Sequence, residues 1–206
     1  DYEQEYTGAN GTRDVLFEWT DWMWEDVGIR GYRMDAVKHF DRAFIGDLMD
    51  HLHQQTPAKN PGMVVGEFFD SNPATLKNWV DAVYAFMDQS TKDAINVKVF
   101  DFTLREAIRS ACDDFGVDAR NIFNNSLRDH PAAQMSGFNV ATFVNNHDFR
   151  ENSGGNTLIK NDPLLGYAYI LTNNQVGVPT LFYPDYFGYP KGELAQDYFP
   201  ADTRPL

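Results

Sequence analysis

Gly31-Tyr32-Arg33-Met34-Asp35-Ala36-Val37-Lys38-His39 is the stretch that decides the fold, because a short predicted strand here ends on a carboxylate. Two other segments also end a predicted strand in polar or acidic residues: Val64-Val65-Gly66-Glu67 and Phe143-Val144-Asn145-Asn146-His147-Asp148. Parallel strands of βα folds bring such residues to one edge of the sheet. Retaining cleavage of a sugar acetal needs one carboxylate that attacks and one carboxyl that protonates the leaving oxygen. The three segments therefore predict a glycoside-cleaving site.

The elements around these segments alternate between strand and helix. Predicted strands begin near residues 30, 63, 97, 140 and 178, at intervals typical of parallel strands joined by crossover helices. The predicted helices cover 13–27, 40–55, 72–86, 104–112, 118–128 and 162–174. A closed eightfold barrel needs about 250 residues and eight such units. We therefore expect an α/β fold that is a partial (β/α)8 TIM barrel, about strands four to eight, lacking the first three units.

We predict that residues 1–206 form one partial catalytic (β/α) barrel domain, with an irregular tail at 189–206. The alternative is a complete five-stranded doubly wound sheet, which also binds ligands at the carboxyl ends of its strands. No Gly-rich phosphate loop follows any predicted strand, and this argues against a nucleotide-binding version of that fold.

The composition and net charge of the chain argue against some classes of binding partner. The 206 residues are 43% hydrophobic and 15% aromatic, which is enough for a substantial core, and the formal charge is −13. That charge argues against nucleic acid or an anionic membrane, both of which are bound through clustered Lys and Arg. No apolar run approaches the roughly 18 residues of a membrane-spanning helix. Cys112 is the only cysteine, so no intramolecular disulfide forms, and we expect it to be a buried helix residue.

Strand alternation assigns roles to the first two carboxylates. Arg33 and Asp35 point to the same side of their strand, and an adjacent guanidinium favours the ionised carboxylate that a nucleophile needs. Val65 and Glu67 also share a side, and a carboxyl in apolar surroundings keeps its proton, as a general acid must. The alternatives are a structural Arg–Asp pair for the first segment and a solvated loop acid for Glu67.

The third segment offers a group of hydrogen-bonding side chains. Asn146 and Asp148 are predicted to share a face, and His147 adds a donor, so the cluster is able to bind several sugar hydroxyls. Taken alone, such a run is typical of an ordinary polar turn.

The three segments resemble those of the α-amylase family of retaining glycosidases, glycoside hydrolase family thirteen, in order and approximate spacing. They are similar to the family's segments at the fourth, fifth and seventh barrel strands, and Gly177-Val178-Pro179-Thr180-Leu181-Phe182-Tyr183 is similar to the segment at the eighth. The resemblance implies the C-terminal portion of a catalytic barrel. We expect the family's third-strand segment and its inserted domain upstream of residue 1.

The resemblance also implies roles for the catalytic carboxylates. Asp35 corresponds to the nucleophile, Glu67 to the general acid and then base, and Asp148 to a third carboxylate that holds sugar hydroxyls and favours the distorted ring. The implied reaction is double displacement at internal α-1,4-glucosidic bonds of starch-like glucans.

Four further residues acquire implied functions. By resemblance, Arg33 orients Asp35 and His147 binds the sugar in the cleavage subsite. Lys38 and His39 match a pair on the leaving-group side of the cut, which favours an endo-acting amylase. In the family the backbone carbonyl matching His39 commonly binds calcium, so we expect calcium in the complete parent.

The resemblance further implies an α-glucan polysaccharide or oligosaccharide as ligand, the missing N-terminal barrel segment as a partner, and an extracellular or periplasmic location. We expect little or no activity from this chain alone, because unpaired strand edges and a cleft without one wall would remain. Two alternatives stay open: a non-catalytic glucan-binding or assembly fragment, and a transglycosylase, debranching or sucrose-active relative.

Overall fold

A computed structural model describes residues 11–55, 62–149, 158–159 and 161–187. The chain divides into two compact units, the first from Asp1–Phe69 and Asn78–Val99, the second from Asp70–Lys77 and Phe100–Leu206. The predicted tail at 189–206 lies outside the described residues, and the single-domain prediction for 1–206 stays a prediction. Within the described part, no helix has the length and apolar character needed to cross a membrane.

Helices and strands alternate through the first hundred residues. In chain order these elements are α1 (Thr12–Trp22), a π-helical turn (Met23–Val27), β1 (Gly31–Met34), a 3₁₀ turn (Val37–His39), α2 (Arg42–Gln55), β2 (Met63–Gly66), α3 (Pro73–Phe86), α4 (Gln89–Ala94) and β3 (Val97–Phe100). The first predicted helix ends as expected, because Gly28 takes a left-handed conformation with φ 80°.

The alternation continues through the rest of the described chain. The elements are α5 (Phe102–Asp113), two 3₁₀ turns (Ala119–Asn124 and Gly137–Asn139), β4 (Val140–Thr142), α6 (Pro163–Thr172), β5 (Val178–Pro179) and α7 (Tyr183–Phe187). Each strand pair within a unit is parallel, as the α/β prediction requires.

The first unit is built on β1, β2 and the first part of β3. β1 and β2 pair in parallel with Gly31 opposite Met63 and Met34 opposite Gly66. The valines of β2 and β3 are buried because helices cover the faces of parallel strands: Val64, Val65, Val97 and Val99. Gly66 has no room for a side chain, since a Cβ there would collide with the buried indole of Trp79.

The second unit packs α5 and α6 around a common apolar cluster. Its buried members are Leu104, Ile108, Cys112, Ile122, Val144, Ile159, Tyr167, Ile170 and Val176. Cys112 is a buried free thiol, as predicted, and burial raises its pKa to about 11. Asp101 begins α5 as its N-cap: its carboxylate accepts the N–H groups of Leu104 and Leu127, both at 2.8 Å.

Some predicted boundaries differ from the structure. The helix predicted at 118–128 is a 3₁₀ turn over Ala119–Asn124, because Asp118 caps Arg120 and the following residues hydrogen-bond among themselves in turns. β4 and β5 end at Thr142 and Pro179, before the predicted limits of 145 and 183, although the Thr180 N–H still donates to the Thr142 carbonyl at 2.8 Å. The short helices α4 and α7 were not predicted.

Candidate active site

The carboxyl ends of β1 and β2 lie side by side in the first unit. The Glu67 N–H donates to the Met34 carbonyl at 2.8 Å, and the Val37 N–H donates to the Glu67 carbonyl at 3.0 Å. This backbone pairing continues the β1–β2 register beyond both strands, so Asp35 and Glu67 leave the sheet on adjacent chains. Ala36 then adopts a left-handed conformation with φ 48°, and the chain turns sharply after Asp35.

One guanidinium nitrogen joins the two carboxylates. Nη2 of Arg33 lies 2.6 Å from Oε1 of Glu67 and 3.3 Å from Oδ1 of Asp35. The two oxygens therefore cannot be farther apart than the sum of those distances. That limit fits the carboxyl separation of about 5 to 5.5 Å in retaining glycosidases.

The two carboxylates differ in their access to solvent. The Asp35 side chain is 75% exposed, whereas that of Glu67 is 11% exposed. The predicted proximity of Arg33 and Asp35 is observed. The shorter contact of Arg33 with Glu67 was not predicted, because alternation describes neighbours on one strand and this contact crosses to the next. Glu67 is thus nearly buried, as expected, but its surroundings include a cation as well as apolar groups.

An aromatic cavity of about 270 Å³ opens beside Arg33 and Asp35. The rings of Trp19, Tyr32 and Phe40 form part of its wall, and the Trp19 side chain is half exposed. Aromatic faces next to a carboxylate suit the C–H faces and hydroxyls of a sugar ring.

Lys38 and His39 lie in the 3₁₀ turn that follows Asp35, and both are exposed. The Lys38 ammonium is 5.6 Å from the centre of the Phe69 ring. Their side chains are therefore accessible near the end of β1, as a role in substrate binding requires.

Calcium does not fit the described residues by themselves. The His39 carbonyl is one predicted ligand, but among the described residues no group of three or more His, Cys, Asp or Glu is placed to hold a metal ion. Calcium prefers six to eight oxygen ligands. We derive no catalytic step through calcium.

His147 and Asp148 lie in the second unit, in a polar turn after β4. The Asp148 N–H donates to Oδ1 of Asn146 at 2.9 Å, and Nε2 of His147 is 3.4 Å from Oδ2 of Asp148. Both side chains are more than half exposed. The segment follows the predicted strand and turns at His147 and Asp148, and its side chains are available for ligand hydroxyls. Its convergence with Asp35 and Glu67 stays a prediction.

Buried polar residues that the sequence did not single out support this turn. Asn145 is 4% exposed, and its amide donates to Oδ2 of Asp185 at 3.0 Å. Arg105 is buried, donates to the Val144 carbonyl at 3.3 Å and stacks on the Phe149 ring at 3.7 Å. Burial lowers the pKa of Arg105 to about 10. The one sequence signal for the role of Asp185 was its position two residues after Tyr183, the end of the last of the four family-like segments.

Sequence comparison finds several known proteins that are similar to this chain. The chain is 32% identical over 179 residues to glucan 1,4-alpha-maltohexaosidase of Bacillus sp. (strain 707), covering 85% of this chain and 31% of that protein. It is 31% identical over 181 residues to an alpha-amylase of Geobacillus stearothermophilus, covering 85% and 29%. It is 33% identical over 164 residues to a cyclomaltodextrin glucanotransferase of the same species, covering 78% and 20%. No protein-family model matches the chain.

Solved structures agree on the fold. The crystal structure of the alpha-amylase from Geobacillus thermoleovorans, complexed with acarbose, matches with a TM-score of 0.62 at 16% identity and covers 94% of this chain and 41% of that one. The predicted class, an α/β fold that corresponds to part of a (β/α)8 barrel, is thereby confirmed over the doubly wound alternative.

These findings define the class as a partial (β/α)8 barrel of the α-amylase type. The chain belongs to the α-amylase family, with α-amylases and cyclomaltodextrin glucanotransferases among its relatives. It spans about a third or less of the length of these relatives.

Proposed function

We propose that this chain supplies the catalytic carboxylates of a retaining glycosidase that cleaves internal α-1,4-glucosidic bonds of starch-like glucans, as part of a larger catalytic domain. The observation that carries the proposal is the shared contact of Arg33 with Asp35 and Glu67. This shared contact keeps one oxygen of each carboxyl group close together, which is compatible with the separation of about 5 to 5.5 Å in retaining glycosidases.

In the first step, an oxygen of Asp35 attacks the anomeric carbon while Glu67 gives its proton to the glycosidic oxygen. The C–O bond to the leaving sugar breaks, and a glycosyl ester forms on Asp35. The Arg33 guanidinium, 3.3 Å from Oδ1 of Asp35, orients that carboxylate for attack. Because Arg33 also contacts Glu67, the acid role requires that Glu67 take up a proton and weaken this ion pair when substrate binds.

In the second step, Glu67 acts as base. It removes a proton from water, the water oxygen attacks the anomeric carbon, and the ester bond to Asp35 breaks. The product keeps the α configuration, and both carboxyl groups return to their starting states. In the proposal, Asp148 and His147 bind sugar hydroxyls beside the reacting ring, and Lys38 and His39 contact the leaving-group side.

The stereochemistry and position of cleavage test this proposal. We expect proton NMR of fresh maltoheptaose digests to show the α anomer first, with products of intermediate length. Initial release of the β anomer would refute retention of configuration. Release only of glucose or maltose from chain ends would refute cleavage at internal bonds. If the chain alone is too slow, as we expect, the same measurement applies to the chain joined to the N-terminal part of a relative.

A second candidate keeps the glycosyl ester but passes it to a sugar hydroxyl. The relationship to a cyclomaltodextrin glucanotransferase supports this reading. Larger or cyclic products from maltoheptaose, formed without a matching rise in reducing ends, would favour the transferase.

A further inference from the structure

The turn that carries His147 and Asp148 is exposed on one side, and Asn145 secures its base. Asn145 is buried, and both ends of its amide are engaged. Nδ2 donates to Oδ2 of Asp185 at 3.0 Å, and Oδ1 accepts the N–H of Ile159 at 2.9 Å. The hydrogen bond from Asp148 to Asn146 orders the turn internally but does not attach it to the rest of the unit.

A single oxygen of Asp185 connects three elements. Asp185 lies in α7, just after β5, and its Oδ2 also accepts the Tyr167 hydroxyl at 2.6 Å. Tyr167 belongs to α6 and is 2% exposed. The Tyr167 oxygen in turn accepts the Phe182 N–H at 3.4 Å. The carboxylate therefore joins α6 and α7 to Asn145, the first residue of the turn at 145–148.

We propose that Asp185 is a positioning residue that acts through Asn145 to fix the turn at residues 145–148, and so orients His147 and Asp148 toward an α-glucan. The orientation toward glucan rests on the proposed function, whereas the positioning itself does not. The choice of a carboxylate here is informative. Burial raises the pKa of Asp185, and its hydrogen bonds from Tyr167 and Asn145 oppose that shift, whereas an apolar residue would need no such partners.

The geometry also predicts which substitution preserves the function. Both donors converge on one oxygen, so the single amide oxygen of asparagine suffices as acceptor. Asp185→Asn should retain the arrangement. Asp185→Leu removes the acceptor with little change in size and should release the turn.

Backbone NMR on the 206-residue chain measures the positioning directly. In Asp185→Leu we expect the heteronuclear NOE of residues 146–148 to fall and the Ile159 amide to exchange at least about tenfold faster, as expected for loss of an intramolecular hydrogen bond. Asp185→Asn should match the wild type on both measures. Thr103→Val is the matched control, because it removes a buried hydrogen bond of the same unit, from Thr103 to the Ser71 carbonyl at 2.9 Å. It should lower the melting temperature and leave the turn unchanged.

The positioning role would be overturned if Asp185→Leu kept the wild-type NOE values and Ile159 exchange rate. It would also be overturned if the Thr103→Val control changed both as much as Asp185→Leu does. If Asp185→Leu does not fold, Asp185→Ala removes the acceptor with a smaller side chain and is read by the same criteria.

Titration with maltoheptaose separates this inference from the proposed function. We expect Asp185→Leu to bind about tenfold more weakly and Asp185→Asn to restore affinity. A loosened turn with unchanged maltoheptaose affinity would overturn the orientation toward glucan. A loosened turn in a protein whose wild type binds no glucan, even when the chain is joined to the N-terminal part of a relative, would refute the proposed function and leave the positioning role in place.

Discussion

The two regions that carry the predicted site residues are built differently. In the first unit, Arg33, Asp35 and Glu67 follow directly from two paired strands, and continued backbone pairing sets their positions. In the second unit, His147 and Asp148 lie in an exposed turn that depends on side chains from other elements, such as the buried Arg105 and the partly buried Asp185. Regular pairing therefore defines the first region, and long-range polar contacts define the second.

The catalytic pair gives the largest expected effect and tests the first region. Asp35→Asn removes the nucleophile and should reduce turnover by at least about 10³-fold on starch and on aryl maltosides alike. Glu67→Gln should cost as much on starch but far less on an aryl glycoside with a good leaving group, which needs no proton. Initial rates on the two substrates, with Asp26→Asn as an exposed-carboxylate control, provide the measurement.

Equal losses on both substrates in Glu67→Gln would contradict its acid role. Near-normal starch turnover in Asp35→Asn would contradict the assignment of the nucleophile.

Stability against pH tests the second region, because its buried carboxylates titrate. Burial raises the pKa of Asp101 from about 3.8 to about 7, although the N–H groups of Leu104 and Leu127 lower it. The folded state then binds a proton that the unfolded state has released, so stability falls as pH rises from about 4 to 7 and is constant above. The free energy of unfolding should fall by about 4 kcal/mol over this pH range.

Urea unfolding between pH 4 and 8 measures this slope, and Asp101→Asn should flatten it. An equally steep decline in Asp101→Asn would show that another group is responsible.

Much of the first region was accessible from sequence. The period-two pattern placed Arg33 beside Asp35, and the strand ends placed Asp35 and Glu67 at one edge. The Arg33–Glu67 contact was missed because it depends on the register between strands. In the second region, Asn145 and Asp185 are 40 residues apart and follow no local period, so only the folded chain reveals their contact. The strand predicted at 140–145 ends already at Thr142.

Steric fit beneath Glu67 offers a smaller test of the first region. Gly66→Ala would push a methyl group into Trp79 and should destabilise the fold by about 1–3 kcal/mol. Gly62→Ala is the control, since a Cβ there meets only the Arg30 carbonyl at 3.4 Å. Urea midpoints compare the two, and similar values would show that the close approach at Gly66 is unimportant.

The smallest effect concerns ordinary helix capping and sets a baseline for both regions. Oδ1 of Asn72 accepts the N–H groups of Ala74 and Thr75 at 3.0 and 3.2 Å at the start of α3. Asn72→Ala should cost about 1 kcal/mol, and Asn72→Ser should restore most of it. Thermal unfolding checks both variants. No loss in Asn72→Ala would indicate that water replaces the cap.

Covalent trapping tests the central claim most directly. A 5-fluoro glycosyl fluoride of α configuration should form a slowly hydrolysed ester with the nucleophile, which peptide mass spectrometry then locates. The account predicts one added fluorosugar on Asp35, absent from Asp35→Asn. A label on Glu67 or Asp148, or none in a preparation that cleaves α-glucan, would contradict it.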